Sequence, residues 1–303
     1  FNKRFVMASI HGWCGLSAAV DDPRNTIKLI LQKCGVQSDK AFEYNFTDHG
    51  GCAVTHGIYP TSFYQNNSIN VAIIGSPTWS DNSLTDRVKT QGLAASLVQA
   101  YQHYGVGLLT KLHGPFAIAI VQGNNSLIAI DRIGIHSLSY ATQDEAFIFS
   151  SSSLGVTSHP LINSGINAQG VFNYFYFYDI PSPGTIHSGV EKLLPAQYVQ
   201  FKNGVMEKGF YWNLKYNDSN QLSFHEERDK LDHFLQESIE SVSSDGPTAT
   251  FLSGGIDSST ITGLLARISP ETVNAYTMGF GAEGFDEMEY ARLAARHFRA
   301  NIN

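Results

Sequence analysis

The residues best suited to chemistry lie in the stretch TATFLSGGIDSSTITGLLARIS, residues 248–269. An apolar strand-like run ends there in a glycine pair, and a helix-like run follows. Because glycine has no Cβ, Gly254 and Gly255 let the backbone turn sharply, so that several N–H groups and the positive end of a helix can face one anion. Asp257 could bind a magnesium ion that bridges phosphate oxygens. Further hydroxyl donors are Ser253, Ser258 and Ser259.

A simpler interpretation of the same loop stays open. Neither GxxxxGK[ST] nor GxGxxG is present, so the loop matches neither of the common nucleotide fingerprints. Glycine and serine are ordinary turn residues, and a tight strand-to-helix turn with capping serines would use them as well.

A second place for chemistry is Cys14 in GWCGLSAAV. The three cysteines are widely spaced without a CxxC pair, which fits a reducing cytoplasm better than a disulfide framework. Each is therefore a buried thiol or a nucleophile. The eleven histidines show no HExxH spacing, so no metal site is predicted from them.

Composition narrows the class of protein that must position these residues. The chain has 303 residues, of which 43% are hydrophobic and 16% are charged. This length and this apolar content are enough for two packed domains. The net charge of −7 and the lack of a basic run argue against a nucleic-acid partner. No apolar stretch approaches the roughly 20 residues that span a bilayer, so we expect a cytoplasmic protein without a membrane partner.

The pattern of elements changes along the chain. Residues 10–211 consist mostly of short apolar or alternating runs, such as VAIIGS and FAIAIVQ, which predict strands. Helices are predicted over residues 25–35, 91–105 and 167–181. After a polar linker, residues 217–223, the order becomes helix, strand, helix, strand, helix, which is typical of a parallel α/β sheet. The sequence thus predicts an α+β domain of layered sheets with helices, followed by the start of an α/β parallel-sheet domain.

Longer segments carry a family resemblance. LSGGIDSS resembles the pyrophosphate loop (PP-loop) of the ATP pyrophosphatase superfamily, and YTMGFGAEGFDEMEYARLAARHF is similar to the next strand and helix of asparagine synthetases. IPSPGTIHSGVEKLLPAQYVQF resembles the segment just before that domain. KLHGPFAIAI, IDRIGIHSLSYA and FIFSSSSLGV resemble strands of the glutamine amidotransferase half. The chain therefore resembles asparagine synthetases, which join a class II glutamine amidotransferase to a synthetase domain.

The resemblance implies domains, an activity and ligands. It places an N-terminal nucleophile hydrolase-like amidotransferase domain at 1–213, and the first part of an ATP pyrophosphatase domain at 222–303. It implies a ligase that uses ATP and Mg²⁺ to adenylate a carboxylate such as aspartate, after which ammonia, from glutamine if the first domain is active, displaces AMP. Magnesium would be bound at Asp257. The positions that would bind ATP and pyrophosphate are Leu252, Ser253, Gly254, Gly255, Asp257, Ser258 and Met278, and a plain core methionine is the alternative for Met278.

The glutaminase half departs from the family pattern. In the family the nucleophilic cysteine is the first residue and its α-amine is the base, whereas thirteen residues precede Cys14 here. AIIGSPTWS keeps only Gly75 as an oxyanion-hole candidate, and DHGGCAV around His49 lacks the arginine that would bind the glutamine carboxylate. Either proteolysis exposes Cys14 as the nucleophile, or the domain is a scaffold and the cysteine is structural.

The synthetase half of the family is longer than the part present here, so we expect a fragment, or else a partner chain or second copy that completes the parallel sheet. Two further functions stay open. One is a β-lactam or peptide-cyclising synthetase with an amine nucleophile, and the other is a catalytically silent scaffold module.

Overall fold

The computed structural model describes residues 7–15, 20–36, 42–47, 49–216, 222–243, 248–279 and 287–303. The chain divides into two compact units, which we call unit 1 (Phe1–Lys215) and unit 2 (Tyr216–Asn303).

Unit 1 is built on antiparallel strands. In chain order they are β1 (Ser9–Gly15), β2 (Phe42–Thr47), β3 (Gly50–Thr55), β4 (Thr61–Gln65), β5 (Asn70–Gly75), β6 (Thr78–Trp79), β7 (Leu112–His113), β8 (Phe116–Gln122), β9 (Asn125–Ile130), β10 (Ser139–Gln143), β11 (Ala146–Ser150), β12 (Glu191–Lys192), β13 (Gln197–Lys202) and β14 (Val205–Phe210). Sheet 1 has the order β12-β10-β11-β1-β3-β2, and sheet 2 has the order β14-β13-β9-β8-β5-β4. The short strands β6 and β7 pair separately.

The two six-stranded sheets pack face to face. Their facing side chains form one apolar core, in which Ile10 and Phe149 of sheet 1 join Ala119 and Val199 of sheet 2. Strand residues alternate between faces, so the neighbours Trp13 and Ile148 point away from this core. Both faces of the central strands are therefore buried, which explains the nearly continuous apolar runs in β5 and β8.

Helices cover the outer faces of the sheets. The helices of unit 1 are α1 (Pro23–Lys33), α2 (Asn82–Gln91), α3 (Leu93–Tyr104), α4 (Ser153–Thr157) and α5 (Ala168–Phe177), with a 3-10 helix at Gly105–Lys111. The buried side chains of α1 and α4 pack on sheet 1, and those of α2, α3 and the 3-10 helix pack on sheet 2. Unit 1 thus has four layers: helix, sheet, sheet, helix.

Unit 2 has a small parallel sheet. Its elements are α6 (Phe224–Val242), β15 (Ala249–Phe251), α7 (Ile256–Ile268), β16 (Asn274–Tyr276), α8 (Met288–Phe298) and β17 (Asn301–Ile302). The strands lie in the order β15-β16-β17, and both pairs are parallel. A cluster of Leu252, Ala275, Ala291 and Ala295 packs α8 onto the sheet.

The predicted fold class is confirmed, with local corrections. The helix predicted over residues 91–105 is the second of two helices, because Gly92 has a φ of 84° and separates α2 from α3. The helix predicted from Asn167 is confirmed: the Asn167 side chain caps the backbone N–H of Gln169. The expectation of two strands in unit 2 was too low, since Asn301–Ile302 add a third. Most of the predicted linker, residues 217–221, lies outside the described residues.

Candidate functional site

The glycine pair of unit 2 lies where the predicted loop requires it, between β15 and α7. Gly254 has a φ of 89°, a conformation that L side chains rarely adopt. Gly255 is the N-cap of α7, and within the described residues no side chain caps this helix. The first N–H groups of α7 therefore face the end of the loop, where an anion would accept their hydrogen bonds.

The serines of the loop bond to each other. The Oγ atoms of Ser253 and Ser258 lie 3.1 Å apart, and the Ser253 N–H donates to Ser258 Oγ at 3.2 Å. The N–H of Gly255 donates to Ser253 Oγ at 3.3 Å, and the Ser258 hydroxyl donates to the Gly255 carbonyl. These bonds close the loop into one turn of fixed shape. Ser253 is exposed and Ser258 is half-buried, so both hydroxyls lie near the surface of the loop.

Asp257 lies in the first turn of α7 and is exposed. Among the described residues no group of three or more His, Cys, Asp and Glu side chains is placed to hold a metal ion. A single carboxylate suits a magnesium ion that takes its other ligands from phosphate oxygens and water. The donor set of the loop thus fits a magnesium–phosphate ligand, and Asp257 is the carboxylate of the loop that would hold the metal.

Leu252 and Met278 lie near the carboxyl ends of neighbouring parallel strands. Leu252 is buried, and its N–H donates to the carbonyl of Tyr276 at 2.8 Å. Met278 follows β16 by two residues and its side chain is 72% exposed. Met278 is therefore not part of the core that the described residues of unit 2 form. A role for both residues beside adenine and ribose stays a prediction. Residues 280–286, which lie within the segment YTMGFGAEGFDEMEYARLAARHF that is similar to asparagine synthetases, are outside the described residues.

Cys14 lies in the core between the two sheets of unit 1. It is the sixth residue of β1, faces Gly50 on β3 and Phe147 on β11, and is fully buried. Burial raises the pKa of its thiol to about 12. At neutral pH the side chain is a protonated thiol away from solvent, which is the state of a structural cysteine rather than of a nucleophile. This geometry favours the scaffold hypothesis for Cys14.

Gly75 ends β5 with a φ of 100°. Its N–H already donates to the carbonyl of Pro60 at 2.9 Å. The amide on which an oxyanion hole would depend is thus engaged within the fold, so in this structure it has no free donor for a ligand.

A cavity of about 620 Å³ opens at the opposite end of β1 from Cys14. Ser9 and His11 line it, and Cys14 does not. Ser9 and Cys14 lie five steps apart along an extended strand, which corresponds to roughly 16 Å. Sequence reasoning missed this pair. The available signal was a hydroxyl and an imidazole two residues apart in a strand, a spacing that places both on one face.

Within the described residues no helix is both long and apolar enough to cross a bilayer.

Two protein families match the chain in succession. Residues 82–212 match the glutamine amidotransferase domain family, and residues 230–302 match the asparagine synthase family. Among solved structures, the glutamine phosphoribosylpyrophosphate amidotransferase from B. subtilis is 14% identical over 97% of this chain and 65% of that chain, with a TM-score of 0.39.

Of three curated relatives, two are named asparagine synthetases and one is named an amidase. A putative asparagine synthetase (glutamine-hydrolysing) of Methanocaldococcus jannaschii is 31% identical, over 67% of this chain and 41% of that protein. Asparagine synthetase 3 of Bacillus subtilis is 29% identical, over 56% of this chain and 28% of that protein. A Penicillium rubens protein named amidase chyE is 27% identical, over 68% of this chain and 33% of that protein. The chain thus spans well under half the length of these relatives.

An amidotransferase domain followed by an asparagine synthase domain defines the class of this protein. The chain belongs to the asparagine synthetase family.

Proposed function

We propose that unit 2 binds Mg·ATP at the Ser253–Ser258 loop and that the whole protein adenylates a carboxylate, such as aspartate, to form an amide. The observation that carries the proposal is the loop itself. It combines an uncapped helix N-terminus, a glycine at positive φ and an exposed aspartate at the carboxyl end of a parallel strand. Open α/β sheets bind ligands at this edge.

Each residue of the loop has a task that its geometry permits. The N–H groups at the start of α7 would donate to phosphate oxygens, and the exposed hydroxyl of Ser253 would add a donor by turning its proton from Ser258 Oγ to the phosphate. Asp257 would hold magnesium, which when bound neutralises charge on the phosphates. Gly255 has no Cβ, so a phosphate can approach the backbone closely. Ser258 keeps the turn closed through its bonds to Ser253 and Gly255.

Versions of this function differ in the source of the nitrogen that enters the amide. Glutamine hydrolysis at Cys14 requires an accessible thiolate, and this thiol is buried with a raised pKa. That observation favours free ammonia, or an amine of the substrate as in ring-closing synthetases, over ammonia released at Cys14. A product assay with aspartate separates the two: ammonia gives asparagine and AMP, whereas a ring-closing enzyme gives neither from aspartate.

Calorimetric titration of Mg·ATP tests the loop. Asp257→Ala should abolish magnesium-dependent ATP binding and leave the melting temperature unchanged, because the side chain is exposed. Glu289→Ala is the matched control, since Glu289 is also an acidic residue in the first turn of a helix of unit 2. An unchanged affinity for Mg·ATP in Asp257→Ala would show that the loop is misassigned.

A further inference from the structure

The start of β1 carries a polar cluster that the adenylation chemistry of unit 2 does not use. Ser9 and His11 project from the same face of sheet 1, and Ser9 Oγ lies 2.8 Å from His11 Nε2. On the other side of the ring, His11 Nδ1 lies 3.0 Å from the Oγ of Ser150, its cross-strand neighbour on β11. A hydroxyl, an imidazole and a second hydroxyl thus form one continuous chain of hydrogen bonds.

The surrounding donors allow one tautomer to serve as a base. The N–H of Ser152 donates to Ser150 Oγ at 3.2 Å, and that oxygen can also accept the Nδ1 proton of His11. In this tautomer Nε2 carries the lone pair and accepts from Ser9 Oγ. The hydroxyl of Thr55, 2.7 Å from Ser9 Oγ, accepts the N–H of Ser9 and fixes the position of this serine.

His11 is held rigidly. It is 1% exposed, and desolvation lowers its pKa to about 4, so the ring is neutral at physiological pH. The backbone of α4 lies close to Ser150 and His11: a Cβ on Gly155 would lie 2.0 Å from Ser150 Oγ and 3.1 Å from His11 Nδ1. A glycine at this position therefore lets the backbone of α4 approach the pair directly.

Ser9 opens into the cavity at the start of β1. Ile74 and Ile135 supply apolar surface there, and Ser137 and Ser151 supply hydroxyl groups. Among the described residues that line it there is no Asp, Glu, Lys or Arg. The described part of the lining thus offers no charged partner to an α-carboxylate or an α-ammonium group, which favours an uncharged ligand.

We propose that Ser9 is a nucleophile and His11 its general base for the cleavage of a small, uncharged carboxylic ester or amide in this cavity. The nucleophile–base and base–orienter distances are both within hydrogen-bond reach, which is the geometric requirement for such a pair. The inference rests on unit 1 alone and goes beyond the proposed function of unit 2, so either can fail without the other.

The steps balance with water as the second reactant. Ser9 Oγ bonds to the acyl carbon while its proton passes to His11 Nε2. The bond from that carbon to nitrogen or oxygen then breaks, and the leaving amine or alcohol takes the proton from Nε2. Water gives a proton to Nε2 and attacks the acyl-serine, and the proton returns to Ser9 Oγ as the acid leaves. Ser150 and Thr55 are positioning residues.

A fluorophosphonate probe tests the nucleophile directly, because serine displaces fluoride and forms a stable oxygen–phosphorus bond. We expect one adduct for each chain of the intact protein, mapped to Ser9 by peptide mass spectrometry. The hydrolysis of p-nitrophenyl butyrate and the release of ammonia from butyramide report on the ester and the amide separately.

Three variants and a control complete the test. Ser9→Ala should lose the adduct and the hydrolysis, and His11→Gln should slow labelling at Ser9 by about 100-fold or more. Ser9→Cys, unlike Ser9→Ala, should still form an acyl-enzyme, and thiol reagents should block its formation. Ser188→Ala removes an exposed serine elsewhere in unit 1 and should behave like the parent protein. Melting curves establish that each variant is folded.

The wild-type adduct decides the question even where a variant fails to fold. A folded parent protein without label at Ser9 would overturn the proposal. Undiminished ester and amide cleavage in folded Ser9→Ala would overturn it equally, whatever unit 2 does with ATP.

Discussion

Gly254 lies directly against the backbone of Tyr290, at the start of α8. A Cβ built on Gly254 would lie 2.5 Å from the carbonyl carbon of Tyr290 and 2.6 Å from the N of Ala291. Its φ of 89° also disfavours any L side chain. Gly254→Ala should therefore destabilise unit 2 by about 2–4 kcal/mol, as strain and overpacking combine. Urea unfolding followed by circular dichroism would measure the change.

Gly255→Ala is the matched control for this prediction. Its φ is −69°, and a Cβ there would meet only Ser253 Oγ, at 3.4 Å. The substitution should leave stability within about 1 kcal/mol of the parent, since a surface change without strain has a small effect. Equal stability of the two variants would show that α8 can move away from the loop at little cost.

The three cysteines should react with iodoacetamide in an order set by burial. Cys34 is half-buried, whereas Cys14 and Cys52 are fully buried, and desolvation raises the pKa of all three thiols. At pH 8 we expect Cys34 to be alkylated first and the other two only after unfolding. Peptide mass spectrometry over time gives the order. Rapid alkylation of Cys14 in the folded protein would revive it as a nucleophile.

His159 should make the protein sensitive to acid. It is buried edge-on to the ring of Trp13, its Nδ1 accepts the N–H of Leu161, and desolvation lowers its pKa from the ordinary 6.5 to about 4. In the unfolded chain His159 is therefore protonated as the pH falls below 6.5, whereas in the folded chain it stays neutral down to about pH 4. The contribution of His159 to the free energy of unfolding is fully present above pH 6.5 and falls as the pH is lowered. At pH 5 the free energy of unfolding is lower by about 2 kcal/mol.

His159→Phe removes this titration and should reduce the loss of unfolding free energy between pH 7.5 and pH 5. The remaining loss should come from His11 and, to a smaller extent, from His113, His136 and His187, because desolvation lowers the pKa of each. Urea titrations at the two pH values measure both. A variant that loses as much stability as the parent would mean that His159 titrates normally in the fold.

A buried pair of threonine hydroxyls joins β15 to α7. Thr250 Oγ1 lies 2.9 Å from Thr262 Oγ1, and the Thr262 hydroxyl donates to the carbonyl of Ser258. The Thr250 hydroxyl therefore donates to Thr262. Thr262→Val would leave that donor without its acceptor, and we expect a loss of about 1–3 kcal/mol in the free energy of unfolding.

The double variant Thr250→Val/Thr262→Val serves as the check, because it removes both hydroxyl groups and should recover much of the loss. Denaturant unfolding of the two single variants and the double variant gives the coupling energy. Additive losses would contradict the assigned direction of the bond.

Sequence patterns predicted the elements of this chain better than their contacts. The apolar runs of β5 and β8 and the start of a helix near residue 167 are local signals, and the structure has them as predicted. The packing of Gly254 against Tyr290 and the approach of Gly155 to His11 join residues far apart in the chain, so a single sequence carries no signal for them. The departures around Cys14 raised doubt about its role. The burial of the Cys14 thiol, which raises its pKa, gives a physical reason to doubt that it is a nucleophile.

The alternation of β1 between its two faces has a further consequence for how this chain can change. Ser9, His11 and Trp13 point to the helix side of sheet 1, and Ile10 and Cys14 point to the core between the sheets. Inserting or deleting one residue within β1 would exchange these sets, placing an imidazole among apolar side chains. Changes of length inside this strand are thus tolerable in evolution only by even numbers of residues. A bulge that absorbs the extra residue is the exception.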